Sequence, residues 1–148
     1  MFGRTLFVVA TIAASLGLIM GMATVPYSQT ASAETVFGTP GDDKINTGEE
    51  DDEVNARAGD DKIKTRGGDD DVLGAGGDDK INTGEGDDEV LGGIGDDKIK
   101  TGKGDDIVVG NEGADRIHCG SGEDTVINFN EAEGDKATGN CETFDVVH

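Results

Sequence analysis

Aspartate recurs every nine residues across residues 38–127 of this 148-residue chain. Ile or Val follows each of these aspartates by two residues, and Gly precedes each by two, except at Glu50. Fixed-period repeats stack copies of one short unit, because each unit buries its apolar side chains only against its neighbours. The period therefore predicts a solenoid. The ten aspartates are Asp43, Asp52, Asp61, Asp70, Asp79, Asp88, Asp97, Asp106, Asp115 and Asp124.

A longer period of 18 residues is superimposed on the first. Ile and Val alternate two residues after the aspartates, and Lys alternates with an acid one residue after them as far as Lys98. This alternation predicts that two units complete one coil, with odd units in one sheet and even units in the other. Turns two units apart then lie one strand spacing apart, about 4.8 Å.

The alternation of side chains along a strand predicts what each sheet shows to solvent. Ile and Val point inward, so their neighbours point outward. The outward residues of the odd units are mostly basic, whereas those of the even units turn apolar toward the C-terminal end. The odd set is Lys44, Asn46, Lys62, Lys64, Lys80, Asn82, Lys98, Lys100, Arg116 and His118; the even set is Glu53, Asn55, Asp71, Leu73, Glu89, Leu91, Ile107, Val109, Thr125 and Ile127.

Units such as GAGGDDKIN at residues 74–82 resemble the G-G-x-G-x-D-x-U-x nonapeptides of the RTX family, the haemolysin-type calcium-binding repeats. The resemblance covers residues 38–127. It implies an all-β fold, a parallel β-roll or two-sheet β-solenoid of ten nonapeptide half-turns. In such a roll the six-residue turns bind calcium, and each x-U-x triplet is a short strand.

The chemistry of the unit also favours calcium. Each repeat aspartate offers a hard carboxylate oxygen, and the tight turn before it offers backbone carbonyl oxygens. Ca²⁺ accepts about six to eight such oxygens in flexible geometry, whereas a column of Cys or His, which would favour zinc or copper, is missing from the sequence. We therefore predict the ten aspartates as metal ligands, with turns at Gly59, Gly68, Gly77, Gly86, Gly95 and Gly104.

The number of turns limits the number of ions. Ten turns give five at each edge of the roll and four gaps between them, so at most eight calcium ions fit. The formal net charge is −20, and loss of residues 1–33, which contain Arg4 and no acid, leaves −21. Such a chain repels nucleic acid and attracts cations. Many charges and few aromatic residues also characterise chains that do not fold unaided, so we predict that calcium binding and folding are coupled.

The N-terminal segment predicts export. Arg4 precedes an apolar run from Leu6 to Val25, and Ala31-Ser32-Ala33 is a small-x-small cleavage site, so residues 1–33 are predicted to be a signal peptide of a secreted protein. The apolar run is also about long enough to span a bilayer. An uncleaved membrane anchor therefore remains the alternative, and only that alternative gives the protein a membrane partner.

The ends of the mature chain are predicted to be caps, at residues 34–37 and 128–148. An even number of cysteines in an exported protein favours a Cys119–Cys141 disulfide, which would pin the tail to the last repeat. Solenoids cover their open ends, and aromatic residues flank the repeats. We predict that Phe37, Phe129 and Phe144 cover the ends, and that the tail covers the apolar strip of the even units with Phe129, Phe144, Val146 and Val147.

The leading functional prediction is an exported, non-catalytic calcium-binding protein with a structural or interaction role. Its partners would be calcium and, through the basic face, an anionic cell-surface polymer or another roll. The alternative for the basic face is that it keeps the protein soluble and offsets the charge of the acidic turns. One alternative is a polysaccharide-modifying enzyme on a β-solenoid, although the mature chain has only His118 and His148 as imidazoles. Another is an ice-binding or adhesion solenoid, for which Thr47, Thr65, Thr83 and Thr101 would need to form an outward array.

Overall fold

A computed structural model describes residues 33–145, with side chains as far as Cys141. The predicted signal peptide, apart from Ala33, and Val146 and Val147 lie outside the described residues, as does the side chain of Phe144. The described part of the chain includes no helix that is long and apolar enough to cross a membrane. Its strands are β1 (Thr35–Phe37), β2 (Lys44–Asn46), β3 (Glu53–Asn55), β4 (Lys62–Gly67), β5 (Asp71–Gly76), β6 (Lys80–Glu85), β7 (Glu89–Ile94), β8 (Lys98–Lys103), β9 (Ile107–Glu112), β10 (Arg116–Ser121), β11 (Asp124–Ile127), β12 (Lys136–Thr138) and β13 (Cys141–Asp145).

The strands form two parallel sheets that face each other across the core. One sheet has the order β2-β4-β6-β8-β10-β12 and contains the odd units; we call it the basic sheet because of its outward lysines. The other has the order β1-β3-β5-β7-β9-β11-β13 and contains the even units; we call it the second sheet. Paired residues within the repeats are 18 positions apart, as in Ile81 with Ile99 and Val72 with Val90. The predicted parallel β-roll and its 18-residue coil are confirmed.

The core is a stack of Ile and Val side chains from the two sheets. Each repeat residue of this kind is buried, with exposed fractions from 0% at Val72 to 6% at Ile45. The longer strands extend past the x-U-x triplet into the next unit, so a second inward position follows the first. The threonines Thr47, Thr65, Thr83 and Thr101 occupy it and are fully buried. The prediction of an outward threonine array, which an ice-binding surface requires, is therefore wrong.

Glycine is needed where the backbones of successive coils meet at the corners. Gly77 has φ of 119°, and a Cβ added to it would lie 2.2 Å from the carbonyl oxygen of Gly59. The turn glycines that the sequence predicts all have positive φ, from 96° at Gly68 to 135° at Gly95. Gly41 and Glu50, at the same position of the first two units, do not have positive φ. The left-handed corner therefore begins with the third unit, and Glu50 carries no strain from a left-handed backbone.

The N-terminal residues extend the second sheet, and Val36 packs against the core there. Strand β1 pairs with β3 so that Val36 lies beside Val54 in the inward column, and Phe37 lies beside Asn55 in an outward row. Phe37 is 54% exposed, with the Arg57 guanidinium carbon 5.6 Å from its ring centroid. The prediction that Phe37 covers the open end is wrong, because strand alternation turns its side chain to the outside.

The C-terminal tail likewise continues both sheets. Strand β12 pairs with β10, and β13 pairs with β11. The predicted disulfide is confirmed: Cys119 and Cys141 are joined with their Cα atoms 5.4 Å apart, which ties β10 to β13 across the two sheets. Phe129 packs against the end of the core as expected.

The apolar strip on the second sheet is not covered by this tail. As far as Asp145, the tail adds strands at the ends of the sheets, and Ile107 on the strip remains 41% exposed. The prediction of a covered strip is therefore wrong for the described residues. The physical reason is that open sheet edges hold unpaired backbone N–H and C=O groups, which another strand satisfies directly.

Candidate metal centre

The repeat aspartates form two columns, one at each corner that precedes a sheet. Those of the odd units lie before the basic sheet, and those of the even units lie before the second sheet. Asp43 is half-buried at the end of its column, whereas the other nine are at most 3% exposed. The fold thus brings all ten predicted ligands together in two rows, although they are spread over 82 residues of sequence.

One oxygen of each buried repeat carboxylate accepts a hydrogen bond from the coil before it. The backbone N–H of Asp61 donates to Oδ1 of Asp79 at 2.8 Å, and the N–H of Asp79 donates to Oδ1 of Asp97 at 2.9 Å. The same bond recurs in the other column, for example from Asp70 to Asp88 at 3.0 Å. These bonds fix the direction in which the second oxygen points.

That second oxygen has no partner of hydrogen-bonding geometry in eight of the aspartates. In three of them, Asp70, Asp88 and Asp106, a threonine hydroxyl lies close enough to lower the pKa of the carboxyl in part. In the first two units the second oxygen accepts a backbone N–H instead, from Thr39 to Asp43 and from Gly48 to Asp52. A buried polar atom without a partner loses its hydration with no compensation, and the cost is largest for an ionised group. The oxygens are the Oδ2 atoms of Asp61, Asp70, Asp79, Asp88, Asp97, Asp106, Asp115 and Asp124.

The proton equilibria of these carboxylates reflect the same burial. Desolvation raises the pKa of Asp97 from 3.8 to about 7, and repulsion by Asp79 and Asp115 in the same column adds to it. Desolvation likewise raises the pKa values of Asp70, Asp79, Asp106 and Asp115 to about 6. A cation beside Oδ2 would favour the ionised form and reverse this effect.

Carboxylates alone would not fill the shell of a metal bound here. Among the residues with described side chains, no three acidic, histidine or cysteine groups come close enough together to hold an ion. Each site can therefore supply fewer than three carboxylates, and peptide carbonyl oxygens or water must complete the shell. Carboxylate and carbonyl oxygens are the donors that calcium accepts, and they suit zinc and copper poorly.

The sequence of this calcium-type corner matches a known family. The model of the RTX calcium-binding nonapeptide repeat aligns with residues 29–63, 65–99 and 91–126. The chain belongs to the RTX repeat family. No curated protein and no solved structure matches it significantly. RTX repeats bind calcium, and proteins that contain them are typically extracellular, so this chain is a calcium-binding repeat protein.

The RTX motif has a second aspartate row, to which the sequence analysis assigned no role. The first aspartate of each Asp-Asp pair is exposed, and its Oδ1 accepts an N–H from the coil after it. Asp60 accepts from Asp78 at 2.9 Å, and Asp78 accepts from Asp96 at 2.9 Å. The two rows therefore bind successive coils in opposite directions along the roll. The Asp-Asp pairs of the repeats were the feature of the sequence from which this second row could have been predicted.

One buried carboxylate of the RTX roll lies beyond the repeats. Asp135 is 5% exposed, and its Oδ1 accepts the N–H of Asp115 at 2.9 Å, as the next aspartate of that column would. Its Oδ2 accepts the N–H of Asn130 at 2.7 Å. The spacing from Asp115 is 20 residues instead of 18, so the nine-residue period misses it. The Asp135-Lys136 pair, which repeats the Asp-Lys of odd units, was the available signal.

Proposed function

We propose that this RTX protein is exported, has no catalytic role, and folds on binding Ca²⁺ outside the cell, where it serves a structural or interaction role. The observation that carries the proposal is the set of eight buried Oδ2 atoms without hydrogen-bond partners. Buried charges are stable only when they are paired or when they coordinate a metal. Calcium between the coils would supply the missing partner.

The ions would lie between successive coils of one column, four at each edge. Each would contact carboxylate Oδ2 atoms, such as those of Asp79 and Asp97, and peptide carbonyl oxygens of the glycine corners. Eight ions with two charges each would offset 16 of the 21 excess negative charges of residues 34–148. This neutralisation makes folding and binding one event, as in other proteins whose metal sites do not exist in the unfolded chain.

Calcium availability then decides where the chain folds. Extracellular calcium modules bind with dissociation constants of about 10⁻⁴–10⁻³ M. At that affinity the chain stays unfolded at the low calcium concentration of a cytoplasm and folds after export. The predicted signal peptide at residues 1–33 agrees with this order of events, and retention of that segment as an anchor is the alternative.

Circular dichroism during calcium and magnesium titrations, with calorimetry for stoichiometry, tests calcium-dependent folding. We expect a change from coil to β-structure with calcium and no change at the same magnesium concentration, because Mg²⁺ demands a stricter octahedral shell. We expect no more than eight ions per chain. A chain that stays a compact β-roll in excess chelator at neutral pH would overturn the proposal.

Export is tested separately by N-terminal sequencing of the protein recovered from the culture medium. We expect the mature chain to begin at Glu34, directly after the Ala31-Ser32-Ala33 site. Recovery only in the membrane fraction with residues 1–33 intact would instead establish the anchored form.

A further inference from the structure

A continuous row of cations runs along the outside of the basic sheet. Successive members are direct register partners, so that one cation stands above the next at every coil. All six are exposed. The spacing between neighbours is that of adjacent strands, about 4.8 Å. The row, which we call the cation row, consists of Lys44, Lys62, Lys80, Lys98, Arg116 and Lys136.

The cation row has no internal counter-charge in the described part of the chain. The ion pair found there joins Lys103 to Glu85, which both lie outside the row. Like charges directly opposite each other on neighbouring strands are destabilising. The roll therefore keeps six mutually repelling cations on one face, although the chain as a whole has a large excess of acids that could have neutralised them.

Two shallow grooves widen this basic surface. One, of about 490 Å³, has glycine backbone at Gly84, Gly102 and Gly120 and includes Lys64 and Lys100 in its lining. Arg66, Lys103 and His118 also line it, with Glu49 and Glu85 as its acidic members. The other, of about 360 Å³, lies between the cation row and Lys100 and His118. Both grooves follow the long axis of the roll, because their residues come from the same positions of successive coils.

We propose that the basic sheet binds an anionic polysaccharide, laid along the cation row and the adjoining grooves. The inference names the partner of the interaction role in the proposed function and rests on calcium-dependent folding, because eight calcium ions would lower the net charge of residues 34–148 from −21 to −5 and so remove most of its repulsion of a polyanion. An extended occupant fits because the charges repeat at every coil over the whole length of the roll. A polymer with a carboxylate or sulfate on successive sugars presents charges in the same repeating manner, and it gains from many weak contacts at once.

The charge distribution favours this occupant over a second copy of the chain. The acidic row on the second sheet contains only Glu53, Asp71 and Glu89, and it continues as Ile107 and Thr125. It is half as long as the cation row that it would need to match. The longer rows of exposed aspartates at the corners already accept backbone N–H groups of the next coil through Oδ1, as Asp60 and Asp78 do. Single-stranded nucleic acid is also a poor fit, because the outward rows of the basic sheet contain no Phe, Tyr or Trp on which bases could stack.

Binding of dextran sulfate to the purified protein in millimolar calcium tests the inference, with uncharged dextran as the polymer control. Folding is followed in parallel by circular dichroism. The test variant is Lys62→Gln, Lys80→Gln and Lys98→Gln combined. Its matched control is Ile94→Glu, Ile107→Glu and Thr125→Glu combined, which changes the net charge by the same three units on or beside the second sheet.

We expect wild type to bind dextran sulfate, but not dextran, and to bind more weakly as salt screens the charges. The lysine variant should lose roughly tenfold or more in affinity, since three exposed charge contacts are removed together. The glutamate control should stay within about threefold of wild type, because its new charges face away from the polymer and are screened over about 10 Å.

Each other result counts against the inference. If the folded lysine variant binds as tightly as wild type, the polymer is held by calcium at the acidic corners and not by the basic sheet. That result would overturn the binding role of the cation row and leave the proposed function intact. Tighter binding to single-stranded DNA or to anionic lipid vesicles would overturn the polysaccharide assignment. Failure of the wild type to fold on calcium is seen by circular dichroism alone and would count against the proposed function first.

Discussion

The substitution Asp97→Asn separates the two roles of a buried repeat carboxylate. Oδ1 of Asp97 accepts the N–H of Asp79 at 2.9 Å, whereas Oδ2 is buried without a partner. Asparagine has the same shape and keeps the acceptor, but it removes the charge. The change should therefore stabilise the calcium-free roll and remove at least one ion from the calcium-bound roll, and these two effects together are the prediction.

The magnitude follows from the pKa of Asp97, which burial raises from 3.8 to about 7. At about 1.36 kcal/mol per pKa unit, ionisation of this group costs the calcium-free fold on the order of 4 kcal/mol well above pH 7. A raised folded-state pKa means that the cost is absent below pH 3.8 and grows as the pH rises toward 7. In calcium, loss of this ligand should remove at least one ion, which at a free calcium concentration c stabilises the fold by RT ln(1 + c/Kd): about 1.4 kcal/mol at ten times the dissociation constant and about 4 kcal/mol at a thousand times.

Two titrations measure both effects: a pH titration in chelator followed by circular dichroism, and a calcium titration followed by calorimetry. In chelator, Asp97→Asn should raise the pH at which the chain loses its β-structure; in excess calcium at neutral pH it should bind at least one ion fewer than wild type. The matched control is Asp96→Asn, since Asp96 is exposed and its Oδ1 accepts the N–H of Ala114 at 2.9 Å. The control should show neither effect. An Asp97→Asn chain that binds as many calcium ions as wild type, with equal affinity, would refute the assignment of Oδ2 as a ligand.

The other predictions concern pH, the disulfide, the core and the cap. Burial raises the pKa values of Asp70, Asp79, Asp106 and Asp115 to about 6 and that of Asp97 to about 7, so protons should compete with calcium below neutral pH. Calorimetry in buffers of different ionisation enthalpy should show that calcium binding releases protons. A calcium affinity that is constant from pH 5 to 7.5 would contradict this. In chelator the same shifts should let the chain gain β-structure on acidification toward pH 4, since the stabilising protonated forms are lost as the pH rises through 6–7. Reduction of Cys119–Cys141, which are 22 residues apart, should lower the free energy of unfolding by about 3 kcal/mol, and hydrogen exchange should then show β13 losing protection before the repeats do. Ile81→Ala, at a side chain 1% exposed, should cost about 2–5 kcal/mol and raise the calcium needed for folding, whereas Ile94→Ala, 62% exposed, should change it little. Asp135→Asn should leave the calcium stoichiometry unchanged, because both oxygens of Asp135 already accept backbone N–H groups; loss of an ion would contradict that reading.

Most of the fold and the aspartate columns can be read from the sequence, because the repeat imposes the same neighbours on every unit. Once Ile81 is inward and its partners are 18 residues away, the places of Asp79, of Lys80 and of the corner at Gly77 follow without further information. The burial of Thr83 could not be inferred this way, since it depends on how far the strand continues past the triplet. Only backbone pairing between coils decides that length.

Outside residues 38–127 the sequence says much less. Asp135 takes the next place in an aspartate column after two extra residues, and Phe37 faces outward because Val36 pairs with Val54. Neither outcome follows from a period, because the pairing at the two ends depends on which edge groups of the finished roll remain unsatisfied.

The amino-acid sequence alone determined the coil, its two sheets and the chemistry of its corners, because a strict period turns local spacing into long-range contact. The tertiary structure alone decided which carboxylate oxygens are left without a partner and how the ends are completed. Both depend on hydrogen bonds between residues about 18 positions apart, and these bonds exist only when the coils are stacked.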